Sequence, residues 1–386
     1  MSRRRMLLAL MIVESSVPAA VDAATLFAKT NGVGTGTCAD WVSACTLTRA
    51  MSIAQTGDQI WVKAGTYGAI AALPNGVKMI GGFAGTETAI SQSNPTTNVT
   101  MIGAGGNQRA VVSQDNSSST VLRGFKITGG QSGDDWDGGG GMLMVNSSAQ
   151  VVQCVFENNQ ATRFGAGVSF RGSGSPLFVN CDFHGNGTGA STSVQPLAGG
   201  VVYLYSGSAT FTNCLFYNNK SGEGAAIAVV SGTATLVNST IVNNQATIGY
   251  GGGIHDQEGR VIVKNSILWG NSAVKGGTQI FNNPGFTTTV AKSDVQGGWS
   301  GTGNIDTDPL FVNPGINDYK LQQTSPCKNT GDNAFLPSDL ADLDWDNNLS
   351  EAVPKDLAFG QRTIGVMVDM GAYEAPLAGG GGTGLD

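Results

Sequence analysis

Five copies of one six-residue motif, spaced almost evenly, constrain this chain more than any other feature. They are Cys154-Val-Phe-Glu-Asn-Asn159, Cys181-Asp-Phe-His-Gly-Asn186, Cys214-Leu-Phe-Tyr-Asn-Asn219, Ser239-Thr-Ile-Val-Asn-Asn244 and Ser266-Ile-Leu-Trp-Gly-Asn271, with steps of 27, 33, 25 and 27 residues. Phe125-Lys-Ile-Thr-Gly-Gly130 is a degenerate copy 29 residues upstream. A glycine motif runs in phase: Gly140-Gly-Met142, Gly165-Ala-Gly-Val168, Gly199-Gly-Val201, Gly224-Ala-Ala-Ile227, Gly252-Gly-Ile254 and Gly276-Gly-Thr-Gln-Ile280. An insertion at 187–197 lengthens both series at the same point and accounts for the one long step.

A unit of about 27 residues cannot bury an apolar face alone and must stack on its neighbours. Helices are excluded because apolar residues alternate with period two and Gly or Asn interrupts every run. The solution is an all-β parallel β-helix in which equivalent residues form ladders one strand spacing apart. Alternation turns Cys154, Cys181, Cys214, Ser239 and Ser266 inward, with Phe156, Phe183, Phe216, Ile241 and Leu268. Asn159, Asn186, Asn219, Asn244 and Asn271 fall at the next bend, where an amide can satisfy turn backbone and bond the Asn of the next coil.

Composition agrees with many short strands and tight turns: 57 of 386 residues are Gly and only 13% are charged, while 40% are hydrophobic. The net charge of −7 provides no basic footprint for nucleic acid or anionic lipid. No later stretch has the ~20 apolar residues of a membrane span. Arg3-Arg4-Arg5, the apolar run Met6 to Val13 and Ala19-Ala20-Val21-Asp22-Ala23 have the layout of a secretory signal peptide over 1–23.

Three of the six cysteines share one ladder position, too far apart and too parallel for disulfides, so buried free thiols are expected there. Cys38 and Cys45 can close a small loop in an oxidising compartment, and Cys327 has no evident partner. Thr46 to Gln55 has helical apolar spacing and is expected to cover the open first coil as a short N-terminal capping helix. The organisation expected is a cap over 24–56, the β-helix over 57–311, a C-terminal capping module over 312–375 and a Gly-rich tail over 376–386.

The opening coils, Gly57-Asp-Gln-Ile-Trp-Val-Lys-Ala-Gly-Thr-Tyr67 and Gly81-Gly-Phe-Ala-Gly-Thr-Glu87, resemble those of exported right-handed β-helix proteins of the pectate-lyase-like superfamily. The paired Gly-Gly and Phe-x-x-Asn repeats are similar to those of polymorphic outer membrane proteins. The tail, from Asp308-Pro-Leu-Phe-Val312 to Asp369-Met-Gly-Ala-Tyr-Glu374, looks like the terminal module of choice-of-anchor surface proteins. The resemblance covers most of residues 25 to 375 and implies a right-handed solenoid, export, and secretion or cell-surface display. It implies no single activity.

Enzymes on this fold bind polysaccharide along the outer face. Glu157, His184, Tyr217, Val242 and Trp269 are the outward neighbours of the core aromatics, and Glu157, His184, Tyr217 and Trp269 are the ligand-binding candidates, the two aromatics as surfaces for sugar rings. The loops between the Asn ladder and the glycine motif form a second line. There Asp134, Asp135, Asp137, Arg163 and Glu223 are candidates for acid–base work on a glycosidic bond or for proton abstraction beside a uronate. Asp339, Asp342, Asp344, Asp346 and Asn347 crowd one stretch, and Asp342, Asp344 and Asp346 are candidates for calcium, the one ion the sequence suggests. Two functions follow. One is non-catalytic adhesion or glycan binding along the solenoid face, to a polysaccharide or cell-surface component. The other is a polysaccharide lyase, hydrolase or epimerase with its groove near 187–197.

Overall fold

The computed structural model describes residues 23–133, 136–188 and 199–376, and the leader, Asp134, Asp135, most of the insertion and the Gly-rich tail lie outside the described residues. A complete coil carries four short strands, and the first coils carry fewer. In one coil, Leu177–Val179 lies in sheet one, Asp182–His184 in sheet two, Gly187–Thr188 in sheet three and Val202–Leu204 in sheet four, and Ser208–Thr212 resumes sheet one a coil later. Sheet one extends from Thr25–Val33 to Thr288–Ala291 and sheet two from Gly65–Tyr67 to Asp294–Val295. Successive strands pair in parallel and in register, so Phe156 lies opposite Phe183, Phe183 opposite Phe216, and Phe216 opposite Ile241. The expected parallel β-helix is the observed fold.

The bends follow from residues that tolerate left-handed backbone. Asn180, Asn213, Asn238 and Asn265 join sheet one to sheet two with φ between 48° and 52°. Asn158, Gly185, Asn218, Asn243 and Gly270 join sheet two to sheet three with φ from 53° to 66°. Asn and Gly are the residues for which this conformation costs least. In each Asn-Asn or Gly-Asn pair the first residue therefore makes the bend, and the second turns its amide inward.

Those inward amides are buried and continuous. Asn159, Asn186, Asn219 and Asn244 each donate from Nδ2 to the Oδ1 of the Asn one coil on, at 3.0, 3.2, 2.9 and 2.9 Å. Gly130 starts the column by donating its N–H to Asn159 Oδ1 at 3.0 Å, as its degenerate sequence position requires. Beside it the rings of Phe156, Phe183 and Phe216 stack at centroid spacings of 4.8 and 4.6 Å, and Phe178 and Phe211 form a second stack at 4.9 Å. Cys154, Cys181 and Cys214 are buried free thiols whose acidity burial suppresses, for Cys154 and Cys181, well below that of an ordinary thiol. The serine part of that ladder extends to Ser293, whose Oγ accepts the Ser266 N–H at 3.0 Å.

The stretch expected as a cap over 24–56 is in part a coil already, since Thr25–Val33 is the first strand of sheet one and pairs with Gln59–Lys63. A helix over Leu47–Ile53, capped by Thr46 through the Arg49 N–H, sinks Leu47 and Ala50 into the core, and Cys38 is bonded to Cys45. At the other end Trp299 packs against the core.

Residues 312–375, expected as a terminal cap, lie instead along the flank of the solenoid. The amides of Asn213, Asn238 and Asn265 donate to the carbonyls of Lys355, Asp369 and Asp332 at 2.7, 3.0 and 3.0 Å. Further back, Arg123 donates to the carbonyls of Ala341, Asp342 and Leu343. The physical reason is on sheet two, where the outward positions Leu215, Val242 and Ile267 are apolar. Phe311, Tyr319, Leu321 and Met370 cover them in a second buried cluster. Each such side chain contributes ~1.5–3 kcal/mol on burial.

Candidate functional site

Strand alternation places the outward strip in register, Glu157 beside His184, then Tyr217, Val242 and Trp269. The flanking C-terminal segment covers its second half. Tyr217 and Trp269 pack against the cluster of Phe311, Tyr319 and Leu321, with the Tyr217 and Tyr319 rings 5.4 Å apart. The expectation that these two aromatics stack on sugars is therefore corrected: they hold the segment down. Sequence alternation reports which way a side chain points but not what returns to cover it.

Glu157 and His184 remain beside a groove of about 630 Å³ whose walls include Lys126, Asp182, Phe359 and Tyr373. Four charges run diagonally across its floor. Lys126 Nζ is 2.7 Å from Glu157 Oε1, Glu157 Oε2 is 3.2 Å from His184 Nε2, and His184 Nδ1 is 2.8 Å from Asp182 Oδ1. Both imidazole nitrogens face carboxylates, so the cation is the form the site accommodates. Burial opposes the charge on His184, but the carboxylates of Asp182 and Glu157 outweigh it and hold the imidazole above its ordinary value of 6.5. Burial raises Asp182, against the pull of His184.

Both shifts have one sign. The folded chain keeps protons that the unfolded chain releases, so this contribution is complete below the ordinary values and is lost as pH rises through the folded ones. The denaturation midpoint is expected to be lower at about pH 9 than at about pH 6. Asp182→Asn should flatten that difference and move the His184 titration, followed by NMR, to lower pH. An unchanged His184 titration in the variant would contradict the assignment.

A different cleft, of about 640 Å³, opens on the outer side of sheet four and is lined by Trp136, Phe164, Arg171, Tyr203, Tyr205 and their neighbours. Phe164 stacks on Tyr203 at 4.5 Å and on Trp136 at 6.0 Å. The Arg163 guanidinium lies 4.8 Å over the Trp136 ring, and Arg171 pairs with Asp137. Trp136 and Tyr205 are 64% and 56% exposed, against 5% for Tyr203 beneath them. A Cβ on Gly140 would come within 2.1 Å of the Gln160 carbonyl oxygen, so only glycine lets successive coils approach at this corner. Tyr205 was not among the expected site residues; its signal was an aromatic just before the Ser206-Gly207 turn.

The described acid–base candidates Asp137 and Glu223 are each engaged by a different basic residue. Asp137 is tied to Arg171, whereas Glu223 Oε2 lies 3.2 Å from His255 Nδ1, without hydrogen-bond alignment. Asp134 and Asp135 lie outside the described residues. Beside the insertion is a groove of about 610 Å³ lined by Gln131, Gln160, Thr162, Thr188 and Lys220, among others. Among its described lining residues Lys220 is the one ionisable group, so no carboxylate pair of the kind glycoside hydrolysis uses faces it there. The calcium candidates Asp342, Asp344 and Asp346 do converge, each with a carboxylate oxygen within 4.8 Å of the others.

No helix among the described residues is long and apolar enough to cross a membrane. A crystal structure of pectate lyase Pel9A superposes with a TM-score of 0.53 over 92% of this chain and 97% of that one, at 15% identity, a likeness of fold. No curated protein matches the chain. The family model described as "right handed beta helix region" matches residues 90–295, more than half of the sequence and the whole stretch that carries the Asn and Phe ladders. The chain belongs to the right-handed β-helix family.

Proposed function

We propose that this protein is an exported β-helix, secreted or held at the cell surface, that binds polysaccharide without cleaving it, in the aromatic cleft on sheet four. The observation that carries this reading is the shared exposure of Trp136 and Tyr205 on a base of stacked Phe164 and Tyr203. Exposed aromatic faces backed by buried rings suit the apolar faces of pyranose units, and Arg171 and Asp137 at the rim offer hydrogen-bonding partners for hydroxyls. The name of the structural neighbour, a pectate lyase, is consistent with a polysaccharide as the ligand class. Export is supported by the basic and apolar leader and by the Cys38–Cys45 disulfide, which oxidising compartments favour.

Retention of the purified protein on a panel of neutral and uronate glycans tests this reading, with new reducing or unsaturated ends measured in parallel. Trp136→Ala and Tyr205→Ala are each expected to weaken retention about tenfold, in line with ~1–1.5 kcal/mol for a stacked ring. Retention indifferent to both substitutions would overturn the placement, and cleavage would overturn the non-catalytic reading.

The second reading, a polysaccharide lyase, hydrolase or epimerase, is favoured by one observation, the chain of Lys126, Glu157, His184 and Asp182 along a groove. Under that reading, cleavage would appear with the native protein and vanish in Glu157→Gln.

A further inference from the structure

Where the C-terminal segment reaches its farthest point back along the solenoid, it crosses Arg123 in a loop from Asp339 to Glu351. Asp339, Asp344 and Glu351 each present one carboxylate oxygen, and these three atoms lie within 4.8 Å of one another. Asp344 also belongs to the group formed with Asp342 and Asp346. Five carboxylates thus meet around one residue.

Crowding of acids alone would mean little, but two of these oxygens are buried without partners. Asp339 is 1% exposed; its Oδ2 accepts the Leu343 N–H at 2.7 Å, while its Oδ1 is sealed from solvent and accepts nothing. Glu351 Oε1 is likewise buried and unpartnered. A buried carboxylate oxygen with no donor is costly, and native structures rarely leave one. Arg123 makes no hydrogen bond to the group: its guanidinium hydrogens go to Gln153 and to the carbonyls of residues 341, 342 and 343, and it acts on Asp342 and Asp339 only through its charge. The convergent carboxylates and their two orphaned, buried oxygens describe a site with room for a cation.

We propose that Asp339, Asp344 and Glu351 bind one calcium ion, with Asp342 and Asp346 completing its oxygen shell from the open side. The donors are all hard oxygens, which excludes the softer metals that imidazole and thiolate select. Calcium takes six to eight oxygens at about 2.3–2.6 Å, so oxygens around it stand up to about 5 Å apart, as the two groups here do. Magnesium, which needs a near-ideal octahedron and keeps its waters, suits a flexible set of five carboxylates poorly.

The consequence is mechanical. The same loop carries Trp345, whose ring lies 3.6 Å under the Arg123 guanidinium and against the Trp61, Ile80 and Phe83 cluster of the early coils. An ion at Asp344 would fix that loop where it docks.

Calcium titration of the full chain by calorimetry tests the proposal directly, in the absence of any glycan. One equivalent is expected to bind with a Kd on the order of 10⁻⁵ to 10⁻⁴ M, and magnesium at least tenfold more weakly. Terbium should bind in calcium's place and luminesce on excitation of Trp345, and added calcium should quench it. Asp344→Asn and Asp339→Asn should each weaken binding tenfold or more, whereas Asp332→Asn, outside the cluster, should leave it unchanged. Asp344 is less buried than Asp339, so its variant remains informative if Asp339→Asn fails to fold. Absence of calcium binding by a folded chain, equal binding of magnesium, or an unaltered affinity in Asp344→Asn would each overturn the proposal.

Discussion

Asn219→Ala is expected to destabilise the protein by about 4 kcal/mol. Asn219 sits in the middle of the inward amide column, fully buried. Its Nδ2 donates to Asn244 Oδ1 at 2.9 Å and to the Phe183 carbonyl at 2.8 Å. Its Oδ1 accepts the N–H of Asn186 at 3.0 Å and the Asn186 amide at 3.2 Å. Alanine removes all four bonds and leaves their partners buried, where neither water nor a rearranged side chain reaches them. A net hydrogen bond contributes about 1 kcal/mol, and each stranded partner costs about 1–3. The guanidinium unfolding midpoint measures the loss, and a change below about 1 kcal/mol would show that water enters the column and replaces the amide.

Arg362→Met is the second large effect, expected at about 3–5 kcal/mol and felt in the flanking segment before the coils. Arg362 and Glu374 form an ion pair at 2.9 Å with both side chains 1% exposed. The guanidinium also donates to the carbonyls of Gly371 and Asp369 at 3.1 and 3.0 Å. Removing the cation strands Glu374, which burial already raises to about 8 even with Arg362 pulling it down. The segment should then become sensitive to protease and uncover Leu215, Val242 and Ile267, increasing the fluorescence of an apolar dye. Adding Glu374→Leu should restore much of the loss, because the desolvated charge is then gone too. A double variant no more stable than Arg362→Met would show that the carbonyl contacts, not the charges, dominate.

What was legible in the sequence and what was not divide along a physical line. Ladder residues are set by strand alternation and by the local needs of a bend, both of which a sequence records. Phe183, Cys181 and Asn186 therefore stand where expected, and so does the helix that Thr46 caps. The motif Gly81-Gly-Phe-Ala-Gly-Thr-Glu87 is likewise local, since the Glu87 carboxylate accepts the N–H groups of Ala84, Gly85 and Thr86. Tyr217 and Trp269 show the limit. Their outward direction was readable, but their burial depends on residues about 40 to 100 positions later returning to the same sheet, and no periodicity encodes that return. Tyr205 was overlooked for the opposite reason, because a single turn residue belongs to no ladder. The first Asn of each pair went unread because its backbone conformation, not its side chain, performs its task.

A stack of coils joined only to their neighbours unfolds like a zipper, with the end coils fraying at free energies far below that of the whole. The contact of Arg123 with the backbone at residues 341–343 changes that hierarchy, for it joins groups about 220 positions apart. Loosening an early coil now requires releasing a segment that is also fastened at Asn213, Asn238 and Asn265. Cooperativity between early and late coils therefore draws on the flanking segment as well as on the repeats, because residues 332–369 tie together coils that are not neighbours.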